Sequence, residues 1–343
     1  MRIALTGASG VIGSHTAAAV AAAGHDLILL ARGRSRLESA LAPFSIETWD
    51  CIEGDLNDSG VIEEFLKGAD ALIHCAALVS FRHRRRKEME QTNVTATEAL
   101  LLSAAHRGLD PIVHVSSISA LARNRASKEI RETAEVAVSH DPYGATKSAA
   151  ESIARSLQRD GLPITITYPG AVVGPDVPLF QSSARSLFDQ VQVGWVPLMP
   201  SGVPIVDVRD LARLHAVLLE PGAGPRRYLW GGHFVSYGKL TEHFEQLTGR
   251  AIRRLRAPGA LIRGIGFGRD VIDRLFDVDG GAFTHEMMNL ATRGVPCDNS
   301  RALSDFGLKA RSLEQTLRDT VLWMYTQGLL SAEHLGKLAG QSR

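Results

Sequence analysis

Cysteine is scarce in this chain, with Cys51, Cys75 and Cys297 the three examples in 343 residues. They are odd in number and widely spaced, which suits neither a disulfide framework nor a CxxC metal site; no metal is expected, and the thiols are read as reduced, in a cytosol. Neither sign of charge is in excess: 38 lysines and arginines stand against 37 aspartates and glutamates, a net of +1. No global field would draw the molecule to nucleic acid or to an anionic membrane, and neither is expected as a partner. Long hydrophobic runs are missing too. Charge or glycine interrupts the alanine-rich stretches well before the roughly 18 residues that a membrane span needs. An apolar strand begins already at Arg2, leaving no room ahead of it for the regions of a signal peptide. A cytoplasmic protein is the expectation. Fixed-period repeats and low-complexity segments are also lacking.

What the sequence does have is alternation. With 45% hydrophobic and 22% charged residues, a chain of this length can bury one large core, or a main domain and a smaller partner. Short apolar runs at 3–5, 25–31, 45–52, 69–77, 111–115 and 163–168 read as strands. Between them, 15–23, 89–107 and 142–159 read as helices, with Gly108 stopping the second and Asp141 capping the third. That order argues an α/β fold with a Rossmann-type, doubly wound parallel sheet whose ligand lies beyond the strands' carboxyl ends. Past Pro175 the rhythm weakens. A strand at 203–208 and a helix at 209–219 are expected to return to the first domain, residues 1–175. Residues 176–202 and 220–330 read as a smaller, mainly helical substrate lobe, and 331–343 as a tail.

Between the first strand and the first helix lies Thr6-Gly7-Ala8-Ser9-Gly10-Val11-Ile12-Gly13. Three glycines three residues apart at a strand-to-helix turn let the backbone fold sharply and bring bare N–H groups and a helix N-terminus against a pyrophosphate. Gly7, Ser9, Gly10, Val11, Ile12 and Gly13 are therefore candidate cofactor contacts, although a plain βα turn would use the same glycines. The second strand ends at Arg32, with Arg34 and Arg36 nearby. A basic residue at this place suits a 2′-phosphate, so NADP(H) is favoured and NAD(H) remains possible. The alternative is a solvated basic loop. The densest charge run, 82–87, reads as a solvated helix start, with an anionic-substrate site as the alternative.

Tyr143 and Lys147 open the helix at 142–159. Four residues apart they share a helical face, and a neighbouring cation would lower the phenol from its reference value of about 10 toward use as a general acid/base. Ser116 and Ser117 end the preceding strand, where a hydroxyl can bond a carbonyl oxygen as charge develops. Asn93, inside the helix before that strand, could hold a kink and a water.

Together these motifs resemble an extended short-chain dehydrogenase/reductase of the epimerase/dehydratase superfamily. Thr6-Gly7-xx-Gly10-xx-Gly13 is similar to that family's cofactor fingerprint, Tyr143-xxx-Lys147 to its catalytic pair, and Ser117 and Asn93 complete its tetrad. The likeness spans nearly the whole chain, and Leu30-Ala31-Arg32 resembles the dihydroflavonol-4-reductase-like and 3β-hydroxysteroid dehydrogenase-like branch. The resemblance implies that Tyr143 is the acid/base, that Lys147 binds the nicotinamide ribose, and that Ser117, rather than Ser116, polarises the carbonyl. It also implies that Asp55 and Leu56 border the adenine, Ala76 and Ala77 the phosphate and ribose, and Pro169, Gly170 and Val172 the nicotinamide. One departure stands out: Tyr168 occupies the place of the family's usual arginine before Pro-Gly.

The expected activity is NADP(H)-dependent interconversion of a ketone and a secondary alcohol on a small, fairly apolar molecule. A sugar or nucleotide-sugar epimerase/dehydratase is the alternative, and a cofactor-sensing protein without catalysis a third reading. The resemblance also implies a homodimer through the helices at 89–107 and 142–159.

Overall fold

The computed structural model describes residues 1–80, 83–122, 128–139, 141–177, 185–276 and 285–341. The first half alternates strand and helix: β1 (Arg2–Thr6), α1 (Val11–Ala22), β2 (Asp26–Ala31), α2 (Arg34–Leu41), β3 (Asp50–Glu53), α3 (Ser59–Phe65), β4 (Ala71–His74), α4 (Arg86–Glu90), α5 (Ala96–His106), β5 (Ile112–Val115), α6 (Pro142–Arg159) and β6 (Ile164–Pro169). Then follow β7 (Ala171–Val173), α7 (Arg185–Val193), β8 (Trp195–Leu198), β9 (Gly202–Asp207), α8 (Val208–Val217), β10 (Arg226–Trp230), β11 (His233–Ser236), α9 (Tyr237–Thr248), β12 (Arg253–Arg256), α10 (Gly259–Phe276), α11 (His285–Arg293), α12 (Ser300–Phe306) and α13 (Leu313–Thr326).

Seven strands form one parallel sheet in the order β10-β6-β5-β4-β1-β2-β3. Successive side chains of a strand point to opposite faces, and both faces here are apolar. Ala4, Ile28, Leu72 and Ile112 pack under α3, α5 and α6 with Phe65, Leu100 and Ala154. Their neighbours Ile3, Leu29, Ile73 and Val113 pack under α1, α2, α8 and α12 with Val20, Leu37, Leu211 and Ala302. Helices on both faces of a parallel sheet that reverses its order at β1 make a Rossmann-type, doubly wound fold. A third apolar cluster joins α7, α9 and α13 to β9 and β11 through Phe188, Phe244, Leu317 and Val321.

Five features differ from the sequence expectation. Residues 331–341 are no loose tail, since Leu335 and Leu338 are buried in the third apolar cluster. β3 begins at Asp50 rather than 45, because Ile46 and Trp49 turn onto the core and Arg34 covers the Trp49 ring at 4.8 Å instead of leaving it in a ladder. The helix expected at 89–107 is interrupted by a π-helical turn, Gln91–Thr95, and continues from α4 through it into α5. Residues 220–330 do not stand apart from the main sheet: β10 is its seventh strand, and α12 packs beside it, with the Tyr228 and Phe306 rings 5.1 Å apart. The strand expected at 203–208 is β9, but it pairs with β7 and β11 in a small sheet of its own rather than joining the main one, and a second small sheet, β12-β8, also lies in the second half. Within the expected lobe, 178–184 and 277–284 lie outside the described residues.

Candidate active site

The glycine turn is built by contact distances. Gly7 adopts φ +77°, and a Cβ there would stand 2.7 Å from the Ala76 nitrogen; at Gly13 a Cβ would stand 2.1 Å from the Gly7 carbonyl oxygen. These two glycines therefore let β1, α1 and the end of β4 close on one another. Gly10 differs. It is the N-cap of α1 with no side-chain cap, and a Cβ there would meet little beyond the Gly7 oxygen at 3.3 Å. Ser9, Gly10, Val11 and Ile12 keep part of their surface open. An uncapped helix N-terminus with open space at its cap fits a dinucleotide pyrophosphate.

The end of β4 is pinned beside this turn. Thr6 Oγ1 and His74 Nδ1 share a 2.7 Å hydrogen bond, the Ala76 N–H donates to Thr6 Oγ1 at 3.2 Å, and His74 Nε2 and Thr97 Oγ1 share one at 2.9 Å. Burial pushes the His74 imidazole down to about 3, so it is neutral and structural. Ala77 follows Ala76 in the same half-open segment. Asn93 sits buried in the π-turn and clamps the chain just beyond: its Oδ1 accepts from the Leu78 N–H at 2.7 Å and its Nδ2 donates to the Leu78 carbonyl at 2.8 Å. A third bond runs to Thr146 Oγ1 on α6 at 3.2 Å. The amide thus ties β4's outgoing loop to α6.

α6 starts as the sequence implies. Asp141 Oδ1 accepts the Gly144 N–H at 2.9 Å, Pro142 occupies the first turn, and Ser139 Oγ donates to Asp141 Oδ2 at 2.6 Å. Tyr143 keeps some exposed surface, but its hydroxyl is enclosed and shares a side-chain hydrogen bond with Ser117. Ser117 Oγ also accepts the Ser119 N–H at 3.1 Å. Lys147 is buried and sends its ammonium to the Val115 carbonyl at 3.3 Å. Burial lowers this amine to about 8, opposed by Cys75 and Glu151.

The phenol moves opposite to the sequence expectation. Burial raises Tyr143 to about 12, the Ser117 hydrogen bond works against this, and the Asp141 carboxylate adds to it. The physical reason is that Lys147 engages a backbone carbonyl, so desolvation of the phenolate goes unopposed by the cation in this state.

Ser116 is engaged elsewhere. Its hydroxyl donates to Glu151 Oε2 at 2.7 Å, while Tyr168 OH and Arg155 Nε both donate to Glu151 Oε1 at 2.6 Å. Arg155 also reaches the Ala134 carbonyl at 2.9 Å and Tyr168 OH at 3.3 Å. The guanidinium beside Glu151 thus comes from α6 itself, and Tyr168 completes the cluster from β6. Burial and the neighbouring Glu151 carboxylate hold the Tyr168 phenol well above its usual range. Sequence reasoning missed Glu151 and Arg155. The signal was the unbroken four-residue spacing 143, 147, 151, 155 along one face of α6.

The remaining candidates occupy the same carboxyl edge of the sheet. Arg32 is exposed just past β2. Asp55, past β3, is exposed and accepts both the Asn57 N–H and its side-chain amide, at 2.9 and 2.6 Å; Leu56 turns into the core. Pro169 ends β6, and Gly170 is forced by packing, since a Cβ would stand 2.6 Å from the Gly231 oxygen. Val172 lies half-buried in β7, paired with Val206. Of the basic run, Arg85 and Arg86 pair with Glu88 and Glu90 at 2.8 and 2.9 Å along α4, while Arg82 lies outside the described residues.

Residues 3–231 match the family model described as the NAD dependent epimerase/dehydratase family. The chain belongs to this family. As an extended short-chain dehydrogenase/reductase it is an NAD(P)-dependent oxidoreductase. Sterol demethylase protein B of Methylococcus capsulatus is 29% identical over 329 residues, covering 95% of this chain and 99% of that protein. Ketoreductase sphI of Aspergillus fumigatus is 25% identical, covering 92% and 95%. Among solved structures, that of gox2253 superposes with a TM-score of 0.78 at 25% identity, covering 96% of this chain and 99% of that one.

Proposed function

We propose that this family member is an NADP(H)-preferring ketoreductase or alcohol dehydrogenase for a small, fairly apolar substrate. The observation that carries the reading is the Ser117–Tyr143 hydrogen bond, with buried Lys147 one turn along α6. The glycine turn joins that group through the end of β4, because Gly7 packs on Cys75 and Ala76 and the Asn93 amide ties the chain just beyond, at Leu78, to Thr146 on α6. When bound, the nicotinamide cofactor supplies or accepts hydride. In the reducing direction Tyr143 hands its proton to the substrate oxygen while Ser117 donates a hydrogen bond to the same oxygen. Lys147, with its amine near 8, binds ribose hydroxyls and holds a proton that can replace the one Tyr143 gives up. Val11 and Ile12 would offer N–H groups to the pyrophosphate, while Gly10, whose own N–H donates to the Gly7 carbonyl at 2.9 Å, and Ser9 would border it. Asp55 and Leu56 lie toward the adenine, Ala76 and Ala77 toward the phosphates, and Pro169, Gly170 and Val172 toward the nicotinamide.

The names of two relatives, a ketoreductase and a sterol demethylase protein, support ketone chemistry on an apolar skeleton over sugar epimerisation. Exposed Arg32 supports a 2′-phosphate. A screen of ketones and secondary alcohols with NADPH and NADH, followed by nicotinamide absorbance, tests both points. Turnover is expected with NADPH, and Arg32→Glu is expected to raise KM for NADPH roughly tenfold or more while sparing NADH. Release of tightly held NAD on denaturation, with no ketone reduced, would favour the epimerase. The same reading places the protein in the cytoplasm as a homodimer through α5 and α6, which its native mass on a sizing column checks.

A further inference from the structure

α10 is amphipathic the wrong way round. Two of its charged residues face the protein: Arg263 Nη1 donates to Thr292 Oγ1 at 3.2 Å, and Asp270 Oδ2 accepts the His285 N–H at 3.2 Å. Ile262 is buried, and Gly266 lies so close to α11 that a Cβ would stand 2.9 Å from His285. The opposite face is open and apolar, with Phe267 62%, Leu261 57% and Ile265 53% exposed beside Val271 and Ile272. A soluble helix normally turns that face inward. Among the described residues the chain reaches this face at its flank, where the His285 ring stands edge-on to Phe267 at 6.1 Å, and leaves the rest open.

The same surface continues onto the β8–β12 ribbon. Parallel pairing sets Arg253 against Trp195 and Leu255 against Pro197, so these four share one side of the ribbon, and Trp195 and Leu255 are both exposed. A groove of about 360 Å³ lined by Leu198, Met199, Pro200 and Arg256 opens where β12 leads into α10. Residues 250–274 hold seven arginines against two aspartates, in a chain whose overall charge is +1. Arg254 is paired with Glu245 at 2.7 Å, while among the described residues no carboxylate pairs with exposed Arg253 or Arg256.

We propose that α10 and the β8–β12 ribbon form a docking surface for an anionic phospholipid bilayer, with the apolar face of α10 set among the acyl chains and Arg253 and Arg256 among the headgroups. An apolar helix face with an arginine rim and an interfacial tryptophan is what such a surface requires. A second copy of the chain is the competing occupant, and Ala260, Gly264 and Gly268, four residues apart, would let its helix approach. A two-fold interface would, however, set this arginine-rich segment against itself. The proposal revises the expectation drawn from net charge, which averages a local excess away. It does not rest on the catalytic reading.

The test is co-sedimentation of the full chain with vesicles of phosphatidylcholine alone or mixed with phosphatidylglycerol. Binding to the anionic vesicles is expected to be roughly tenfold or more stronger, and to weaken with salt. An Ile265→Ser/Phe267→Ser variant is expected to lose binding by roughly tenfold or more. An Arg253→Glu/Arg256→Glu variant is expected to lose the difference between vesicle types. Unchanged NADPH binding and melting temperature in both variants establish that they are folded. Equal pelleting with neutral vesicles overturns the proposal. So does a concentration-dependent dimer, without vesicle binding, that the Ile265/Phe267 variant makes monomeric, since it assigns the face to a second copy. Vesicle binding is read without turnover, so failure of the ketoreductase reading would leave this result intact.

Discussion

Tyr143 carries a proton that burial makes reluctant to leave, since the free phenol stands near 12 in this state. Replacing it by phenylalanine removes that proton and leaves the glycine turn untouched. Turnover is expected to fall roughly 100- to 10,000-fold with NADPH affinity retained, read by steady-state kinetics beside a binding titration. Glu151 acts one step away. Its carboxylate raises the Lys147 amine, so Glu151→Gln is expected to lower that amine below about 8 and to move the basic limb of the pH–rate profile to lower pH. Glu151→Ala should also cost about 3 kcal/mol in denaturant unfolding, because it leaves the Arg155 guanidinium buried without its carboxylate.

At the scale of elements, α1 and α6 are placed by their first turns. The glycines before α1 divide the work, and substitutions separate it. Gly13→Ala drives a methyl group onto the Gly7 carbonyl and is expected to lower the melting temperature by several degrees, corresponding to about 1–3 kcal/mol. Gly10→Ala adds a Cβ that meets only the Gly7 oxygen, at 3.3 Å, and is expected to weaken NADPH binding roughly tenfold or more with a smaller loss of melting temperature than Gly13→Ala. Calorimetry and a cofactor titration on the same two variants check both outcomes. The limits of α6, its Asp141 cap and its Tyr-Lys pair were legible in sequence, because caps and four-residue spacing are local rules. The π-turn around Asn93 was legible only as a place for a kink. Its geometry depends on Leu78, fifteen residues away, which supplies both backbone partners of the Asn93 amide.

Across the whole molecule, buried histidines set the response to acid. His74 and His215 are pushed down to about 3 by burial, and His15 and His114 are lowered as well. His215 is held neutral between Thr16 and Thr167, and His114 stacks on His74 at 5.5 Å with no hydrogen-bond partner for either ring nitrogen among the described residues. Each stays neutral in the fold and charges in the unfolded chain below about 6.5, so the unfolded state binds more protons there and stability falls as pH drops. Each such group steepens the loss by up to about 1.4 kcal/mol per pH unit. The melting temperature is expected to fall between about pH 7 and pH 5, and His215→Gln to reduce that slope. Raising pH above about 7 should leave these histidines without effect.

Sequence alone determined the class of sheet, the glycine turn and the four-residue spacing that sets Tyr143 and Lys147 on one helix, because apolar periodicity and short spacings express local sterics and hydrogen bonding. Tertiary structure decided the rest. It took β10 from the far half of the chain into the main sheet, gave Ser116 to Glu151 and Ser117 to Tyr143, and turned the apolar side of α10 outward. Those choices depend on which distant surfaces meet, and the energy of a buried carboxylate or an uncovered helix face is fixed by the neighbours that only folding brings to it.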